Sequence, residues 1–380
     1  MKRLIRTVFT PIFSLFPIKR NKIVFCNFNG KGYGCNPKYI AEAIHKKCDS
    51  CKIVWLCTKK TLDLKFPEYV TPVKIGSIKG IYEVLTAKAV VRNVRNSLKC
   101  PKRDGQIYLQ TWHGGWGPKR VEAEVEDSLS PSYVSEAKDD GAKTDAVVVC
   151  CELQLRQFMQ HFWFRPDVEY LCVGLPRNDR LIKNQDSHRE LELLREQIVG
   201  GTASKVILYV PTFRENCSVE KLMPDLEQLI KICSEKFSGN WKVLVRVHPN
   251  SKISFPEGAL NTNIIDVSSH PDIQELYSIA NILITDYSSA VYDFSLLDRP
   301  IFIHAPDMNQ YNASGRLSKD FFDLPFPIAA TSADLYRNIT DFDSKEYSLR
   351  VKTYRNSHPS YDNGTASEET ASWLLNKLYQ

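Results

Sequence analysis

Short, almost continuous apolar runs recur along the chain, and each is followed by polar loop residues and a stretch with helical spacing. Such runs are typical of parallel strands that are covered by helices on both faces. In the first half they are Lys22–Cys26, Ile53–Cys57, Ala89–Arg92, Ile107–Thr111, Ala146–Cys150 and Val168–Cys172. In the second half they are Val206–Val210, Val243–Val247, Ile264–Val267, Ile282–Thr285 and Ile301–His304. The pattern predicts an α/β protein with two parallel sheets.

A polar, charged segment, residues 185–204, separates the two sets of strands and contains the pair Gly200-Gly201. We interpret it as a linker, because a chain of 380 residues has room for two domains of ordinary size. The predicted organisation is a Rossmann-like domain over residues 23–184 and a second one, with terminal helices, over residues 205–380. The two domains are expected to face each other across a cleft.

The first 22 residues differ from the rest, since basic residues flank a Phe-rich stretch that Pro11 and Pro17 interrupt. The apolar part is too short to span a bilayer, and no small-residue cleavage site follows it. We interpret residues 1–22 as a segment lying on an anionic membrane interface. The alternative is an N-terminal arm packed on the first domain.

Charge and cysteine content restrict the function classes. The net charge of +6 is a mild excess that fits an anionic substrate or membrane surface. The basic residues are dispersed and no recognition motif appears, so nucleic-acid binding is not predicted. Most of the 11 cysteines lie in apolar runs, which favours buried, reduced thiols in a cytosolic protein. Cys48 and Cys51 lack a second metal-binding pair, so no metal site is predicted there.

Residues with polar or ionisable side chains cluster after the predicted strands, where ligands bind in such sheets. Asp286, Ser288 and Ser289 precede an apolar helical stretch, Ala290–Leu297, and the free N–H groups of a helix start can hold phosphate. Arg246 and His248 end another strand and could neutralise phosphate oxygens.

A second group of candidates follows strands of both halves. His113 precedes Gly114 and Gly115, which allow close approach of a substrate, and a histidine suits removal of a hydroxyl proton. Thr212, Arg214 and Arg177 are further candidates, of which the two arginines could contact phosphate or form loop salt bridges.

Taken together, these motifs resemble the CDP-glycerol:poly(glycerophosphate) glycerophosphotransferases of bacterial teichoic acid and capsule synthesis. The resemblance spans nearly the whole chain, with one departure, Gly115, where the family usually has threonine. The boxes are QTWHGG (Gln110–Gly115), GLPRND (Gly174–Asp179), PTFR (Pro211–Arg214), RVHP (Arg246–Pro249), TDYSSAVYDF (Thr285–Phe294), RPIFIHAPDMNQY (Arg299–Tyr311) and DNGTAS (Asp362–Ser367).

The resemblance implies a GT-B-like fold with an N-terminal acceptor domain and a C-terminal CDP-alditol domain. It implies that His113 acts on the acceptor, with Gly114, Gly115 and Arg177 on the same side. His248 is the second catalytic candidate. The residues expected at the donor phosphates and nucleotide are Thr212, Arg214, Arg246, Asp286, Ser288, Ser289 and Ser367.

The implied reaction is attack of an acceptor hydroxyl on the β-phosphorus of CDP-glycerol, with release of CMP. The acceptor would be a teichoic-acid-like or capsular polymer, or its polyprenyl-linked precursor, at the cytoplasmic face of the membrane. No metal-binding box is evident, so no firm cofactor is predicted and assistance by Mg²⁺ stays an alternative. The sequence is also compatible with CDP-ribitol as the donor, with a GT-B glycosyltransferase that uses a sugar nucleotide, and with a non-catalytic anion-binding protein.

Overall fold

The structure is a computed structural model that describes residues 2–95, 100–183, 188–214, 222–247 and 260–380, with side chains from Thr7 onward. Its helices and strands up to residue 199 are α1 (Lys2–Ser14), β1 (Lys19–Cys26), α2 (Cys35–Lys47), β2 (Lys52–Cys57), β3 (Val70–Lys74), α3 (Ile78–Leu85), β4 (Ala87–Arg92), β5 (Ile107–Gln110), α4 (Pro131–Lys143), β6 (Ala146–Val148), α5 (Glu152–His161), β7 (Glu169–Leu171), α6 (Asp179–Lys183) and α7 (His188–Val199).

Strands and helices alternate in the same way in the remainder of the chain. They are β8 (Lys205–Val210), α8 (Leu226–Phe237), β9 (Trp241–Val245), β10 (Ile264–Asp266), α9 (Ile273–Ile279), β11 (Ile282–Thr285), α10 (Ala290–Ser295), β12 (Ile301–His304), α11 (Met308–Ala313), β13 (Ile328–Ala329), α12 (Ser332–Thr340), α13 (Ser344–Ser357) and α14 (Ala366–Tyr379).

The strands form two parallel sheets. The first has seven strands in the order β3-β2-β1-β4-β5-β6-β7, and the second has six in the order β10-β9-β8-β11-β12-β13. The strand order reverses between β1 and β4 in the first sheet and between β8 and β11 in the second. Ligands of open α/β sheets bind at such switch points, beyond the carboxyl ends of the strands. The predicted α/β class with two Rossmann-like parallel sheets is confirmed.

The central strands are buried because their side chains are apolar on both faces. Ile23, Val24 and Phe25 of β1 and Ile207 and Leu208 of β8 have no exposed surface. Two edge strands, β3 and β13, were not among the predicted runs. β3 carries Pro72, which removes a backbone donor and is tolerated at a sheet edge, and β13 has only two residues.

The chain divides into two compact units that do not follow the predicted boundaries at every point. The first comprises residues up to His113, Glu122–Asp179 and Ser360–Gln380, and the second comprises Gly114–Val121 and Arg180–Pro359. The predicted C-terminal domain, 205–380, therefore loses its last helix to the first unit, where α14 packs on α2. Much of the predicted linker forms α7, whose Arg195 donates to the carbonyl oxygen of Ile279.

The N-terminal segment forms a helix that packs on the first unit. In α1, Phe13 packs edge-on against Tyr82 of α3, with the ring centroids 5.4 Å apart. The predicted segment 1–22 also overlaps β1, and Lys22 is buried there with its ammonium 2.7 Å from the hydroxyl of Thr86. Lys22 is therefore part of the sheet. No helix among the described residues is long and apolar enough to cross a bilayer.

Candidate functional site

His113 lies at the switch point of the first sheet. Its Nδ1 is 2.9 Å from the carbonyl oxygen of Asn93, which follows β4, and its ring packs edge-on against Phe28, which follows β1. A carbonyl oxygen can only accept a hydrogen bond, so Nδ1 of the neutral ring carries the proton and Nε2 keeps its lone pair. His113 therefore has the tautomer that a general base requires.

The backbone that carries His113 is held by two buried side chains. Nη1 of Arg177 donates to the carbonyl oxygen of His113 at 2.5 Å. The amide of Asn36 donates to the carbonyl oxygens of Thr111 and Trp112, both at 3.1 Å. Trp112 has a φ of 52°, a left-handed conformation that a bulky residue keeps only when its surroundings enforce it. Arg177 is thus a positioning residue for His113 in this structure.

The glycines that follow the histidine lie against the serine box of the second unit. An added Cβ would meet Ser289 at 2.8 Å from Gly114 and at 2.9 Å from Gly117. A Cβ on Gly115 would lie 2.3 Å from the ring of Tyr292. These approaches leave no room for a side chain, so Tyr292 explains why this chain has glycine where the resembling family usually has threonine. The structure thus brings Gly114 and Gly115 together with Ser289.

Substituting Gly115 by alanine is expected to destabilise the second unit by about 1–3 kcal/mol, the usual range for overpacking. Because the three atoms nearest to the added Cβ all belong to the Tyr292 ring, the additional substitution Tyr292→Ala should recover most of that loss. Urea unfolding of both single variants and the double variant measures the coupling energy, which should exceed about 1 kcal/mol. Simple additivity of the two changes would contradict this explanation of Gly115.

Arg214, Asp286 and Thr212 form a buried network at the switch point of the second sheet. The Arg214 guanidinium lies 2.9 Å from Asp286 and 2.7 Å from Asp307, and the three side chains are at most 10% exposed. Thr212 donates to Asp286 through its backbone N–H and its hydroxyl. Burial acts to raise the pKa of Asp307, but its hydrogen bond to Arg214 outweighs burial and holds the pKa below its usual value. Three predicted donor residues are therefore bonded mainly to each other.

Ser288 and Ser289 follow this network and are partly exposed. The hydroxyl of Ser288 accepts from the N–H of Ala290 at 3.2 Å, and the hydroxyl of Ser289, the residue at the helix start, caps none of the N–H groups of α10. The predicted helix Ala290–Leu297 is shorter, because α10 ends at Ser295 after six residues. So short a helix contributes little dipole, and an anion here would depend on the serine hydroxyls and local N–H groups.

Arg246 and Ser367 have partners that the sequence did not predict. Nη1 of Arg246 donates to the carbonyl oxygen of His270 at 2.6 Å, and burial lowers the pKa of Arg246. His248 lies outside the described residues. Ser367 was predicted beside the donor in the second domain, but it lies in the first unit, where its hydroxyl and N–H both donate to Asp179 at 2.6 and 2.7 Å.

Two residues that the sequence did not single out lie near the Arg214 network. Lys119 is half-buried, and its backbone forms an isolated β-bridge with Leu317. Burial lowers the pKa of its ammonium group to about 8, although the nearby Asp286 acts to raise it. His304 ends β12 and is 3% exposed, and neither of its ring nitrogens has a hydrogen-bond partner among the described residues. The rule that functional residues follow strands could have found His304, whereas Lys119 depends on the fold of its loop.

His304 is expected to make the protein acid-sensitive. Burial lowers its pKa to about 4, against the opposing effect of Asp286 and Asp307. In the unfolded chain it takes up a proton near pH 6.5. His304 therefore leaves the free energy of unfolding unchanged above about pH 6.5. As the pH drops to about 4, its protonation in the unfolded chain lowers the free energy of unfolding by up to about 3 kcal/mol.

The substitution His304→Phe isolates this effect, because it removes the titrating group and keeps a ring of similar shape. Urea unfolding at pH 7 and at pH 4.5 should show a smaller loss of stability for the variant than for the original protein. Equal losses in the two proteins would show that His304 does not resist protonation in the folded state.

The described residues contain no cluster of three or more His, Cys, Asp or Glu side chains arranged to hold a metal ion.

The chain matches the family model of CDP-Glycerol:Poly(glycerophosphate) glycerophosphotransferase over residues 8–376. It is 28% identical over 366 residues to a teichoic acid poly(glycerol phosphate) polymerase of Staphylococcus epidermidis, covering 92% of this chain and 50% of the relative. It is 30% identical over 356 residues to the Bacillus subtilis protein of the same description, covering 89% of this chain and 46% of that protein. The chain thus spans about half the length of these relatives.

The structure is similar to a solved structure of the wall teichoic acid polymerase TagF. The TM-score is 0.87 at 26% identity, and the match covers 100% of this chain and 94% of the TagF chain. Together with the two parallel sheets, this similarity confirms the GT-B-like fold class.

Proposed function

Because this chain belongs to the CDP-glycerol:poly(glycerophosphate) glycerophosphotransferase family, we propose that it transfers glycerol phosphate from CDP-glycerol to a hydroxyl of a teichoic-acid-like or capsular polymer or its lipid-linked precursor. The observation that carries the proposal is the fixed tautomer of His113, whose Nδ1 is engaged by the Asn93 carbonyl. In the neutral ring, Nε2 then carries the lone pair that removal of a hydroxyl proton requires.

In the proposed reaction, Nε2 of His113 removes the proton of the acceptor hydroxyl. The hydroxyl oxygen attacks the β-phosphorus of CDP-glycerol, the bond from that phosphorus to the bridging oxygen breaks, and CMP leaves with the electron pair. Phosphoryl transfer of this kind depends mainly on positioning and on neutralising the charge of the phosphate oxygens. Arg177 serves the first requirement through the His113 carbonyl.

The donor phosphates are assigned to the second unit, at the carboxyl ends of β8 and β11. The partly exposed hydroxyls of Ser288 and Ser289 are groups there that could donate to phosphate oxygens. Lys119, near Asp286, would add a positive charge, because an ammonium group with a pKa of about 8 stays mostly protonated at neutral pH. Arg214 and Asp286 are bonded to each other within the protein. They would therefore hold this region in its conformation and would not contact the phosphates directly.

Incubation of the purified protein with CDP-glycerol and short glycerol phosphate acceptors tests the proposal. The expected products are CMP and an acceptor lengthened by one or more glycerol phosphates, measured by nucleotide chromatography and mass spectrometry. Release of a nucleoside diphosphate from a sugar nucleotide would identify a glycosyltransferase instead. Preferential use of CDP-ribitol would change the donor and keep the reaction.

The proposed location is the cytoplasmic face of the membrane, with α1 lying on an anionic lipid surface. Val8, Ile12 and Leu15 are 47%, 45% and 86% exposed and recur at helical spacing, whereas Phe13 packs inward on Tyr82. An apolar stripe of this kind beside the exposed Lys19 and Arg20 suits a segment that lies in the interface.

Ile12→Glu combined with Leu15→Glu is expected to abolish sedimentation with anionic vesicles and to leave the fold and CDP-glycerol binding intact. Both side chains are exposed, so their replacement removes apolar area that the proposal assigns to lipid. Leu349→Glu, at a leucine of α13 that is 66% exposed, serves as the matched control. If the double variant sediments like the control, membrane contact does not depend on this face.

A further inference from the structure

Phe28 has a backbone conformation that a bulky residue rarely adopts. It follows β1 with a φ of 41°, and 36% of its surface is exposed. A side chain of this size is strained in the left-handed region, and partial exposure limits what packing returns for that strain. Strain of this kind persists only where the surroundings enforce it, and it concentrates at functional sites. The conformation of Phe28 therefore calls for a functional explanation.

Two buried asparagines hold Phe28 in this conformation. The backbone N–H of Phe28 donates to Oδ1 of Asn93 at 2.8 Å, and Nδ2 of Asn93 donates to Oδ1 of Asn27 at 2.7 Å. Asn27 and Asn93 are 2% and 0% exposed. The carbonyl oxygen of Asn27 also accepts from the N–H groups of Gly30 and Lys31, which closes the turn around Phe28. Buried hydrogen bonds of this kind are costly to break, so they can override the local preference of the chain.

The enforced conformation places the ring of Phe28 against the imidazole of His113. The two ring centroids are 5.4 Å apart, and the planes are inclined by 64°. Trp112, whose φ of 52° is also left-handed, lies against the same imidazole with a centroid distance of 4.5 Å. Asn93 contributes twice, because its side chain holds Phe28 while its carbonyl oxygen lies 2.9 Å from Nδ1 of His113. The imidazole is thus restrained by two strained aromatic residues and one hydrogen bond.

A general base has to direct its lone pair at the proton that it removes. The hydrogen bond at Nδ1 restrains the imidazole at one atom, so the direction of Nε2 also depends on what packs against the ring. Misplacement by about 1 Å can lower a rate about a hundredfold. We propose that Phe28 is a positioning residue for His113, whose imidazole it holds on the Asn93 carbonyl together with Trp112. The role of His113 as the base rests on the proposed function, whereas the restraint of its ring does not.

Phe28→Gly tests the proposal on the full chain, because it removes the ring and the backbone strain together. With histidine labelled with ¹⁵N, at a pH at which the imidazole is neutral, the original protein should show His113 with its proton on Nδ1. In Phe28→Gly the signals of the two ring nitrogens should move toward each other, because a less restrained imidazole populates both tautomers. The His113 signals are identified by their absence from the spectrum of His113→Asn.

Stability and turnover of Phe28→Gly should change in different ways. The midpoint of urea unfolding should stay close to that of the original protein, since glycine adopts this φ without strain and so offsets the lost apolar contacts. The kcat of CMP release should fall at least about tenfold. The KM for CDP-glycerol should stay within about twofold, because the donor is assigned to the second unit. A residue that served folding alone would not lower kcat at constant stability.

Two further variants of Phe28 and one control complete the test. Phe28→Ala removes the ring without freeing the backbone and should change the nitrogen signals in the same direction, so it decides the matter if the glycine variant does not fold. Phe28→Tyr keeps the ring and should retain the signals of the original protein. Trp163→Gly is the matched control, because Trp163 is an aromatic residue of the same unit with a φ of 51°, and its ring packs on the ammonium group of Lys138.

Unchanged His113 nitrogen signals in both Phe28→Gly and Phe28→Ala would overturn the proposal. A change of equal size in Trp163→Gly would overturn it as well, since the effect would then follow from backbone strain and not from contact with the imidazole. If the original protein releases no CMP from CDP-glycerol, the proposed function fails. The nitrogen signals still decide the role of Phe28 in that case, so the two proposals can fail independently.

Discussion

In the proposed reaction, His113→Asn is expected to lower the turnover of CDP-glycerol by at least about a hundredfold, the usual scale for loss of a general base. Asparagine can still donate to the Asn93 carbonyl that Nδ1 of His113 contacts at 2.9 Å, so the loop should keep its conformation. It cannot accept a proton as Nε2 does. The expected loss is therefore in catalysis and not in folding.

The measurement is steady-state CMP release, with circular dichroism and thermal unfolding as checks of the fold. His161→Asn is the matched control, because His161 is a partly buried histidine of the same unit at the last position of α5. Its turnover should stay within about twofold of the original protein, since the proposed reaction gives His161 no part. A folded His113→Asn variant with near-normal turnover would remove the catalytic assignment of this histidine.

Arg214→Leu is expected to reduce the free energy of unfolding by about 3–5 kcal/mol, the usual loss when one member of a buried ion pair is removed. Asp286 and Asp307 would both lose their cationic partner, and all three side chains are at most 10% exposed. The loss should be largest near neutral pH. It should shrink in acid, because Arg214 holds the pKa of Asp307 below its usual value, and the stability that this contributes is lost as the pH falls through that pKa.

Urea unfolding at pH 7 measures this loss, and Arg337→Leu is the control. Arg337 pairs with Asp334 at 3.4 Å on the surface, where the arginine side chain is 68% exposed, so its removal should change stability by less than about 1 kcal/mol. Combining Arg214→Leu with Asp286→Asn and Asp307→Asn should recover part of the loss, because no unpaired charge then remains. If Arg214→Leu costs no more than the control, the network does not stabilise the second unit.

The buried Arg214 network shows that a residue after a strand does not have to contact a ligand. The sequence predicts that Thr212, Arg214 and Asp286 contact donor phosphates, because they follow strands of the second sheet. The structure places them at the switch point, as the strand rule requires, but it shows their polar atoms bonded to each other and to Asp307. A position at a strand end thus predicts proximity to a ligand region better than it predicts a ligand contact.

The sequence by itself determined the class of fold and most of the strands. Continuous apolar runs such as Val206–Val210 and Ile282–Thr285 are sufficient for this, because a strand covered on both faces has no polar position. It also determined the family, because ordered boxes spanning the chain are specific as a set. The candidate base, His113, could also be identified from the sequence, since a histidine followed by two glycines after a strand is a local pattern.

Only the tertiary structure decided which of these residues meet. Ser367 bonds to Asp179 across 188 positions of sequence, and Arg214 bonds to Asp286 across 72. Gly115 is explained by Tyr292, whose ring lies where a side chain at this position would go. Hydrophobic periodicity reports the environment of each residue within its own element. The partner of a buried polar group depends instead on how distant elements pack, and no local pattern records that choice.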